Sequence, residues 1–332
     1  MLAAVLTEPG RPLQTVELPE PQPGPGQVLV AVEACAVCRT DLHLRDGELA
    51  PAGLPRVLGH QIVGRVVGAG PGVDGGLGRV GIPWLAWTDG TCRYCRSGRE
   101  NLCVAGRFTG LHVDGGFAER TVADAAFCLP LPDDADAVEL APLLCGGTIG
   151  YRALRLAGEG ERLGLYGFGS AAHLIAQIAL HEGRQVYAFT RRAGDDAARL
   201  ATELGVTWVG ASSEPPPERL DGAIIFAAAG ELVPVALRAL APGGTVVCAG
   251  IHMSDIPGFP YADLWEERSI RSVANLTRDH GRRLLDVVGR HPIRARSTTY
   301  PLAEAERALA DLRAGAFSGS AVIAVGSLSP PG

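Results

Sequence analysis

Residues 162–172 read RLGLYGFGSAA, in which an apolar stretch typical of a buried strand runs into a GFGSAA turn and then a helical pattern. In a dinucleotide fold, the first glycine permits the turn, the second admits a pyrophosphate close to the backbone, and a small third residue lets helix and strand pack. The alternative is a strand-to-helix turn without a ligand. Because the helix N-terminus would face an anion, we predict cofactor contacts at Gly167, Gly169, Ser170 and Ala171.

The chain around this motif divides into three parts. Residues 148–274 alternate strand and helix patterns, one of the helices spanning 231–244, which predicts a doubly wound parallel sheet with helices on both faces. Residues 1–147 are β-rich, and residues 275–332 contain mixed helix and strand patterns. The strand patterns of the β-rich part lie at 27–37, 62–70, 79–84 and 117–123. We therefore predict an α/β protein with an inserted dinucleotide fold.

Composition excludes several classes of protein. The 332 residues are 47% hydrophobic and carry a net charge of −6, which argues against disorder and against a general attraction to nucleic acid. No apolar run approaches the roughly 20 residues that a membrane helix needs, and the N-terminus lacks the pattern of a secretory signal. All 30 basic residues are arginine, which excludes a lysine nucleophile. We expect a cytoplasmic protein that does not bind membranes.

Several of the eight cysteines are close together. Asp89, Cys92, Cys95 and Cys103 have the spacing D-x2-C-x2-C-x7-C, which offers four ligands to a structural zinc ion. Four arginines lie in the same stretch: Arg93, Arg96, Arg99 and Arg107. They leave open a nucleic-acid-binding zinc module, although the acidic net charge and the lack of interleaved stacking aromatics disfavour it. Reduced surface cysteines without a metal are the other alternative.

A second set of metal-binding side chains is dispersed along the β-rich part. Cys38 follows the strand pattern at 27–37, His60 precedes the pattern at 62–70, and Cys145 ends the β-rich part. Two cysteines and one histidine would supply the three protein ligands of an open catalytic zinc site. The spacing leaves open whether they converge, because each could be an ordinary core residue.

Together, these motifs resemble those of the zinc-dependent alcohol dehydrogenases of the medium-chain dehydrogenase/reductase superfamily. The resemblance covers the chain in order, through CRTDLH, GHQIVGRV, CRYCRSGRENLC, PLLCGG, GFGSAA and NLTRD. It implies a GroES-like catalytic domain at 1–147 with a zinc lobe at about 88–104, a Rossmann cofactor domain at 148–274, and a C-terminal segment at 275–332 that returns to the catalytic domain. It also implies a homodimer or homotetramer.

The resemblance assigns roles to residues of the dispersed set. Cys38, His60 and Cys145 would bind the catalytic zinc. Thr40 would hydrogen-bond the substrate oxygen, and His43 would pass the proton to solvent through the cofactor ribose.

Other residues match supporting positions of the family. Arg39 and Arg278 would contact the cofactor pyrophosphate, and Asp41 would orient the histidine ligand of the zinc. Two residues depart from the family pattern. Gln61 stands where a glutamate near the zinc is usual, and Asp89 replaces the usual first cysteine of the lobe.

The cofactor type is indicated by the strand pattern at 185–190. NAD enzymes of this fold place an acidic residue about 20 residues after the glycines, where it binds the ribose hydroxyls. Thr190 occupies that position and is followed by Arg191 and Arg192, whereas Asp195 and Asp196 fit the first turn of the next helix. A hydroxyl and two guanidinium groups suit a 2′-phosphate, so we favour NADP(H) over NAD(H).

The resulting hypothesis is a zinc-dependent alcohol dehydrogenase that transfers a hydride between a primary or secondary alcohol or aldehyde and NAD(P). The alternatives are a superfamily member that acts mainly as an aldehyde, ketone or quinone reductase, and a non-catalytic zinc-binding module. Four apolar residues could border the substrate pocket or simply pack in the core: Trp84, Trp87, Phe108 and Leu111.

Overall fold

The computed structural model describes residues 1–192 and 194–325. Positions 326–332, which end the predicted C-terminal segment, lie outside the described residues. Within the described ranges, no helix is long and apolar enough to cross a membrane. The contacts divide the chain into two compact units. The first consists of Met1–Cys145, Asn275–Leu285 and the residues from Ala295 onward, and the second of Gly146–Ala274 and Asp286–Arg294.

The secondary structure of the described residues comprises strands β1–β18 and helices α1–α10. In chain order, the strands are Leu2–Leu6, Gln14–Glu17, Gln27–Val37, Arg56–Val57, Ile62–Ala69, Arg79–Ile82, Leu85–Trp87, Arg107–Phe108, Arg120–Asp124, Leu129–Pro130, Arg162–Tyr166, Gln185–Thr190, Trp208–Ala211, Leu220–Ile225, Leu240–Cys248, Ser269–Ser272, Ser297–Pro301 and Ser320–Ala324. The helices are Arg39–Asp46, Arg93–Arg96, Ala137–Leu140, Gly146–Leu156, Ser170–His181, Asp196–Glu203, Leu232–Ala239, Tyr261–Leu264, Arg278–Arg290 and Ala305–Ala314. Short 3-10 helices span Glu100–Leu102, Ala125–Phe127, Ala141–Leu144 and Leu302–Glu304.

The first unit is built around β3, the longest of its strands. The main sheet has the order β10-β6-β5-β3-β18-β17, with β9 also paired to β3. Strand β18 lies antiparallel to β3, so that Val322 near the C-terminal end pairs with Ala36. Strand β3 is buried along most of its length, and it contributes Val30 and Val32 to a core that also includes Phe117. The β-rich prediction for this part of the chain is confirmed.

The second unit contains a six-stranded parallel sheet. Its order is β13-β12-β11-β14-β15-β16. The first strand of the unit, β11, lies in the middle between β12 and β14, and later strands are added on both sides. This is the doubly wound order 3-2-1-4-5-6 of Rossmann folds, and the fold prediction is confirmed. Helices α5 and α6 are each followed by a glycine with positive φ, Gly183 at +79° and Gly205 at +75°. In each case the glycine allows the chain to turn out of the helix through the left-handed region.

One predicted helix needs correction, and one observed helix was not predicted. The helix expected over 231–244 ends at Ala239, and β15 begins at the next residue. Pro242 has no N–H to donate and Gly243 adopts a φ of +75°, so the helix cannot continue through them. Helix α1 was not predicted, because its eight residues are too few to show a clear apolar period.

Candidate active site

Cys38 and Thr40 are positioned by the start of α1. Strand β3 ends at Val37, and Cys38 takes the N-cap position with extended backbone angles. Asp41 accepts a hydrogen bond from the Cys38 N–H at 2.8 Å, which forms a capping box across the first turn. Thr40 is buried, and its Oγ1 lies 3.7 Å from Cys38 Sγ. The helix cap therefore places a thiol and a hydroxyl side by side.

His60 is held by the same carboxylate. Its neighbour Gly59 has a φ of +90°, and a Cβ there would lie 2.5 Å from the Phe117 ring, so only glycine fits this turn. The Gly59 N–H donates to Asp41 Oδ1 at 3.1 Å, and the same oxygen lies 3.4 Å from His60 Nδ1. His60 is fully buried. Asp41 thus binds the Cys38 backbone and places a carboxylate beside the imidazole of His60.

Cys145 completes a cluster of three potential metal ligands. It lies between the 3-10 helix Ala141–Leu144 and α4. The ligand atoms of Cys38, His60 and Cys145 all lie within 4.8 Å of one another. The structure therefore brings together three residues that are up to 107 positions apart in the sequence.

Electrostatics in this cluster favour opposite charges on sulfur and imidazole. The hydrogen bond from Cys145, with the nearby His60, holds the pKa of Cys38 well below its ordinary value, whereas Cys38 and burial raise that of Cys145. Burial lowers the pKa of His60, but Asp41 and Cys38 outweigh it and raise that pKa to about 10. The cluster therefore stabilises a thiolate next to a positive charge, which is the environment that a metal cation would also provide.

His43, on α1, has a carboxylate partner that sequence reasoning missed. Its Nδ1 lies 2.5 Å from Oε2 of Glu48. Gly47 ends α1 in the left-handed conformation, with φ 82°, and this sharp turn precedes Glu48. The signal in the sequence was a glycine and an acidic residue directly after the helix. The remaining predicted residues nearby differ in burial, since Gln61 is buried and Arg39 is exposed.

The predicted lobe residues also converge. The ligand atoms of Asp89, Cys92, Cys95 and Cys103 lie within 4.8 Å of one another. Asp89 Oδ1 accepts the N–H groups of Thr91 at 2.8 Å and Cys92 at 2.9 Å. These two bonds lower the pKa of Asp89 to about 2, so the carboxylate is charged at neutral pH. Three sulfurs and one carboxylate thus form a compact four-ligand group.

Arg278, predicted to contact the cofactor, is engaged within the first unit. Its guanidinium binds both carboxylate oxygens of Glu100, with Nη2 2.6 Å from Oε2, and its backbone N–H donates to Oε1 at 2.7 Å. Nη1 donates to the Ala126 carbonyl, and the guanidinium carbon lies 4.2 Å from the Phe127 ring centroid. Sequence reasoning did not identify Glu100, because its partner is 178 residues away.

The GFGSAA motif has the geometry of a strand-to-helix turn. Gly167 follows β11 with a φ of +86°, and a Cβ there would lie 2.9 Å from the Ala227 backbone nitrogen. Gly169 is the N-cap of α5, has no atom within 4 Å of a hypothetical Cβ, and is exposed. Ser170 and Ala171 form the first turn of α5. The first glycine is thus required by the turn, and the second leaves the backbone open to a ligand.

The hydroxyl of Thr190, the last residue of β12, is bonded to the residues that follow the strand. Thr190 is buried, and its Oγ1 donates to the Arg192 carbonyl at 2.9 Å. The side chains of Arg191 and Arg192 are exposed. Asp195 is the N-cap of α6 and accepts the Ala198 N–H at 2.8 Å. Asp195 therefore serves the next helix, as expected from the sequence.

Four apolar residues were predicted either to border the pocket or to pack in the core. Trp84 presents an edge-on contact to His60, with ring centroids 4.8 Å apart, and stacks on Phe108 at 5.2 Å. Leu111 is buried in the core of the first unit. Trp87 is partly exposed beneath Arg107. Trp84 and Phe108 are therefore the two that lie beside the cysteine–histidine cluster.

Comparisons with known proteins agree with this architecture. The alcohol dehydrogenase GroES-like domain matches residues 24–133. The chain is 47% identical over 326 residues to Probable alcohol dehydrogenase AdhA of Mycobacterium tuberculosis, covering 95% of this chain and 93% of the relative. Acetophenone reductase from Geotrichum candidum, solved with NAD, is 26% identical with a TM-score of 0.87 and coverages of 98% and 97%. A Sinorhizobium meliloti dehydrogenase bound to NADP is 29% identical with a TM-score of 0.86 and coverages of 98% and 99%. The chain belongs to the alcohol dehydrogenase family of the medium-chain dehydrogenase/reductase superfamily.

Proposed function

We propose that this enzyme is a zinc-dependent alcohol dehydrogenase that transfers a hydride between a primary or secondary alcohol, or the corresponding carbonyl compound, and NADP(H) in preference to NAD(H). The observation that carries the proposal is the convergence of Cys38, His60 and Cys145 within 4.8 Å. We further propose that it works in the cytoplasm as a homodimer or homotetramer. Its eight free cysteines are compatible with a reducing compartment.

The residues of the cluster fit a zinc ion. His60 is fully buried, yet neither of its ring nitrogens has a hydrogen-bond partner among the described residues, and only Nδ1 lies near a carboxylate. A buried nitrogen without a partner costs about 1–3 kcal/mol, and ligation of a metal would remove that cost. Two thiolates and one imidazole suit zinc and leave a fourth position open. When bound there, zinc polarises the oxygen of the substrate.

The chain's own residues orient this site. Asp41 faces His60 Nδ1, which leaves Nε2 directed to the ligand cluster, and it also caps the helix that carries Cys38. A carboxylate in this position fixes the tautomer of a ligating histidine. Thr40, next to Cys38 Sγ, would hydrogen-bond the hydroxyl or carbonyl oxygen of the substrate. The proposed reaction therefore begins with the substrate oxygen between the cluster and Thr40.

His43 and Glu48 offer a path for the proton to solvent. Glu48 accepts the Nδ1 proton of His43, so exchange with the active site would take place at Nε2. The His43 side chain is 16% exposed and the Glu48 side chain 57% exposed. Because exposure increases along the pair, a proton that reaches His43 has a hydrogen-bonded route to water.

The proposed cofactor contacts come from the turn after β11 and the end of β12. The open backbone at Gly169, with Gly167, Ser170 and Ala171, would bind the pyrophosphate at the start of α5. Arg39 remains a proposed pyrophosphate contact. The exposed Arg191 and Arg192, beside Thr190, would bind a 2′-phosphate through charge-assisted hydrogen bonds.

The lobe group fits a second zinc ion with a structural role. Asp89, Cys92, Cys95 and Cys103 supply four ligands, which closes a tetrahedral site to water. Asp89 accepts both backbone N–H groups through Oδ1, so Oδ2 would be the oxygen that binds a metal. The Asp-for-Cys replacement therefore retains a charged ligand at the fourth position.

Within the proposed substrate class, we favour a primary alcohol or its aldehyde. The support is the apolar stack of Trp84 and Phe108, whose first ring contacts His60. Such a surface favours the hydrocarbon part of a simple alcohol over a polyol, whose hydroxyl groups would lack partners there.

Ligand substitutions test the catalytic zinc. We expect Cys38→Ser, His60→Ala and Cys145→Ser each to lower kcat by roughly 10³-fold or more, because several kcal/mol of transition-state stabilisation disappear with the metal. NADPH binding, measured by quenching of its fluorescence, should persist because the predicted phosphate contacts lie on α5 and β12. Metal content should fall by one zinc per chain.

Cys128→Ser is the matched control. Cys128 is a buried cysteine of the first unit that lies outside both ligand groups, and its thiol donates to the Asp124 carbonyl. Its variant should retain both zinc and turnover. Alcohol oxidation that survives in metal-stripped His60→Ala protein would contradict the proposed mechanism.

A further inference from the structure

We propose that Glu100 and Arg278 form a clasp that positions Cys103 and thereby retains the metal in the lobe. This inference rests on the lobe zinc site proposed above. It gives Arg278 a role other than the cofactor contact predicted from the sequence. Arg278 begins α9, whereas the lobe ligands lie at 89–103, so the metal would depend on a segment near the other end of the chain.

The first link of the clasp is the pair itself. The Arg278 guanidinium contacts both oxygens of Glu100, with Nε at 3.2 and 3.1 Å and Nη2 at 2.6 Å. The Arg278 backbone N–H also donates to Glu100 at 2.7 Å, which places the carboxylate at the N-terminus of α9. A bidentate Arg–carboxylate pair constrains both partners more strongly than a single contact, and a negative charge is favourable at a helix N-terminus.

The second link joins Glu100 to a metal ligand. The Glu100 carbonyl accepts the Cys103 N–H at 3.0 Å, within the 3-10 helix that ends next to Cys103. The same residue therefore binds Arg278 through its side chain and the Cys103 backbone through its carbonyl. Fixing Glu100 fixes the turn that presents the Cys103 thiol to the other three ligands.

The surroundings keep Arg278 in place. Its guanidinium lies over the Phe127 ring at 4.2 Å and donates to the Ala126 carbonyl. At the next turn of α9, Gly281 packs so closely on Leu129 that an added Cβ would lie 2.8 Å from it. The start of α9 is therefore packed on the first unit, and a guanidinium that left Glu100 would also lose its contacts with Phe127 and the Ala126 carbonyl.

Charge supports the same assignment. Four negatively charged ligands outweigh the two positive charges of zinc, so the occupied lobe would be net negative. Glu100 and, to a smaller extent, the nearby Asp124 and Cys95 raise the pKa of Arg278. Outer partners of metal ligands commonly change metal affinity by 10- to 100-fold.

The experiment measures zinc loss from the lobe alone. The parent protein carries His60→Ala and therefore lacks the catalytic site. Glu100→Gln, Arg278→Gln and the double substitution are each introduced into this parent. All four proteins are loaded with zinc, and the release of zinc to a chromogenic chelator is followed over time. We expect each single substitution to speed release by about 10- to 100-fold, and the double to add little to either, because both break one clasp. Cobalt-loaded protein should lose the thiolate-to-cobalt absorption at the same rates.

Glu306→Gln in the same background is the matched control. Glu306 also binds an arginine and a backbone N–H, Arg45 at 2.6 Å and Leu13 at 2.9 Å, but it is not part of the lobe. Its zinc release should match that of the parent. If the His60→Ala parent binds no zinc, the proposed lobe site is wrong and the clasp with it. If the parent binds zinc and the clasp variants release it at the parental rate while remaining folded by circular dichroism, only the clasp is wrong.

Discussion

The hydroxyl of Tyr166 is buried one residue before the GFGSAA motif and makes no hydrogen bond to any described residue. Its ring stacks on Phe189 with centroids 3.9 Å apart, and burial raises the pKa of the hydroxyl. The ring thus contributes to the core of the second unit, while the oxygen carries an uncompensated desolvation cost of about 1–3 kcal/mol.

Tyr166→Phe should therefore stabilise the protein by about 1 kcal/mol, because the substitution removes only the unpaired hydroxyl. Chemical denaturation followed by fluorescence would measure the change. Tyr187→Phe is a suitable comparison, since the Tyr187 hydroxyl donates to Gln185 at 3.1 Å and its loss should not stabilise the protein. A loss of stability in Tyr166→Phe would mean that the hydroxyl has a favourable partner.

Individual residues differ in how far the sequence could predict them. Cys38, His60 and Cys145 carry a metal-binding chemistry of their own, so their types and the family resemblance were enough to select them. Glu48 and Glu100 are ordinary acidic residues in sequence, and their importance arises only from the atoms next to them. For Glu48 that neighbour is set by the turn at Gly47, whereas for Glu100 it comes from a distant helix.

At the scale of elements, α1 shows why local patterns were insufficient. It has only eight residues, and its ends are held by contacts rather than by helix propensity. Asp41 caps its start, while Arg45 and Asp46 near its end pair with Glu306 and Arg313 of α10 at 2.6 and 2.5 Å. Helix α5 has twelve residues and is followed by Gly183, and the sequence predicted a helix at this position; β12 coincides with the strand pattern predicted at 185–190.

The end of β12 decides the proposed cofactor preference. Thr190 turns its hydroxyl to the Arg192 carbonyl, and the nearby Asp195 is committed to the start of α6. The exposed groups at this strand end are therefore cationic. This is the physical reason to favour a cofactor with an additional phosphate over one with two ribose hydroxyls.

Arg191→Ala should lower kcat/KM for NADPH by about 10- to 100-fold, the effect of losing a charge-assisted hydrogen bond, and leave the value for NADH nearly unchanged. Steady-state kinetics with both cofactors would measure this. Arg199→Ala controls for a general loss of positive charge, since Arg199 is an exposed arginine of α6 that pairs with Asp196. A wild-type preference for NADH, or unchanged NADPH kinetics in Arg191→Ala, would overturn the assignment.

At the scale of the molecule, the ends of the chain build one sheet. Strand β18 inserts between β3 and β17, so residues almost 300 positions apart in sequence are neighbours. The sequence indicated that the C-terminal segment contains a strand, but strand order depends on pairing between distant segments, which no local pattern encodes. The parallel sheet of the second unit could be predicted better, because consecutive βαβ elements restrict its topology.

The proposed clasp would extend this dependence on distant segments to metal binding, and a substitution of Asp89 tests whether the lobe holds zinc. Fully loaded wild-type protein should contain two zinc ions per chain, and the Asp89→Ala variant only one. The midpoint temperature of thermal unfolding of this variant should be lower by roughly 5 °C or more, because a structural metal contributes directly to folding. Turnover per catalytic zinc should change little below that temperature.

Asp124→Ala is the matched control, since Asp124 also accepts a nearby backbone N–H, that of Ala126 at 2.9 Å, but is not a ligand candidate. It should lose that local bond and keep both metals. One zinc per chain in loaded wild-type protein, or an Asp89→Ala variant no less stable than Asp124→Ala, would show that the carboxylate caps the turn without binding a metal.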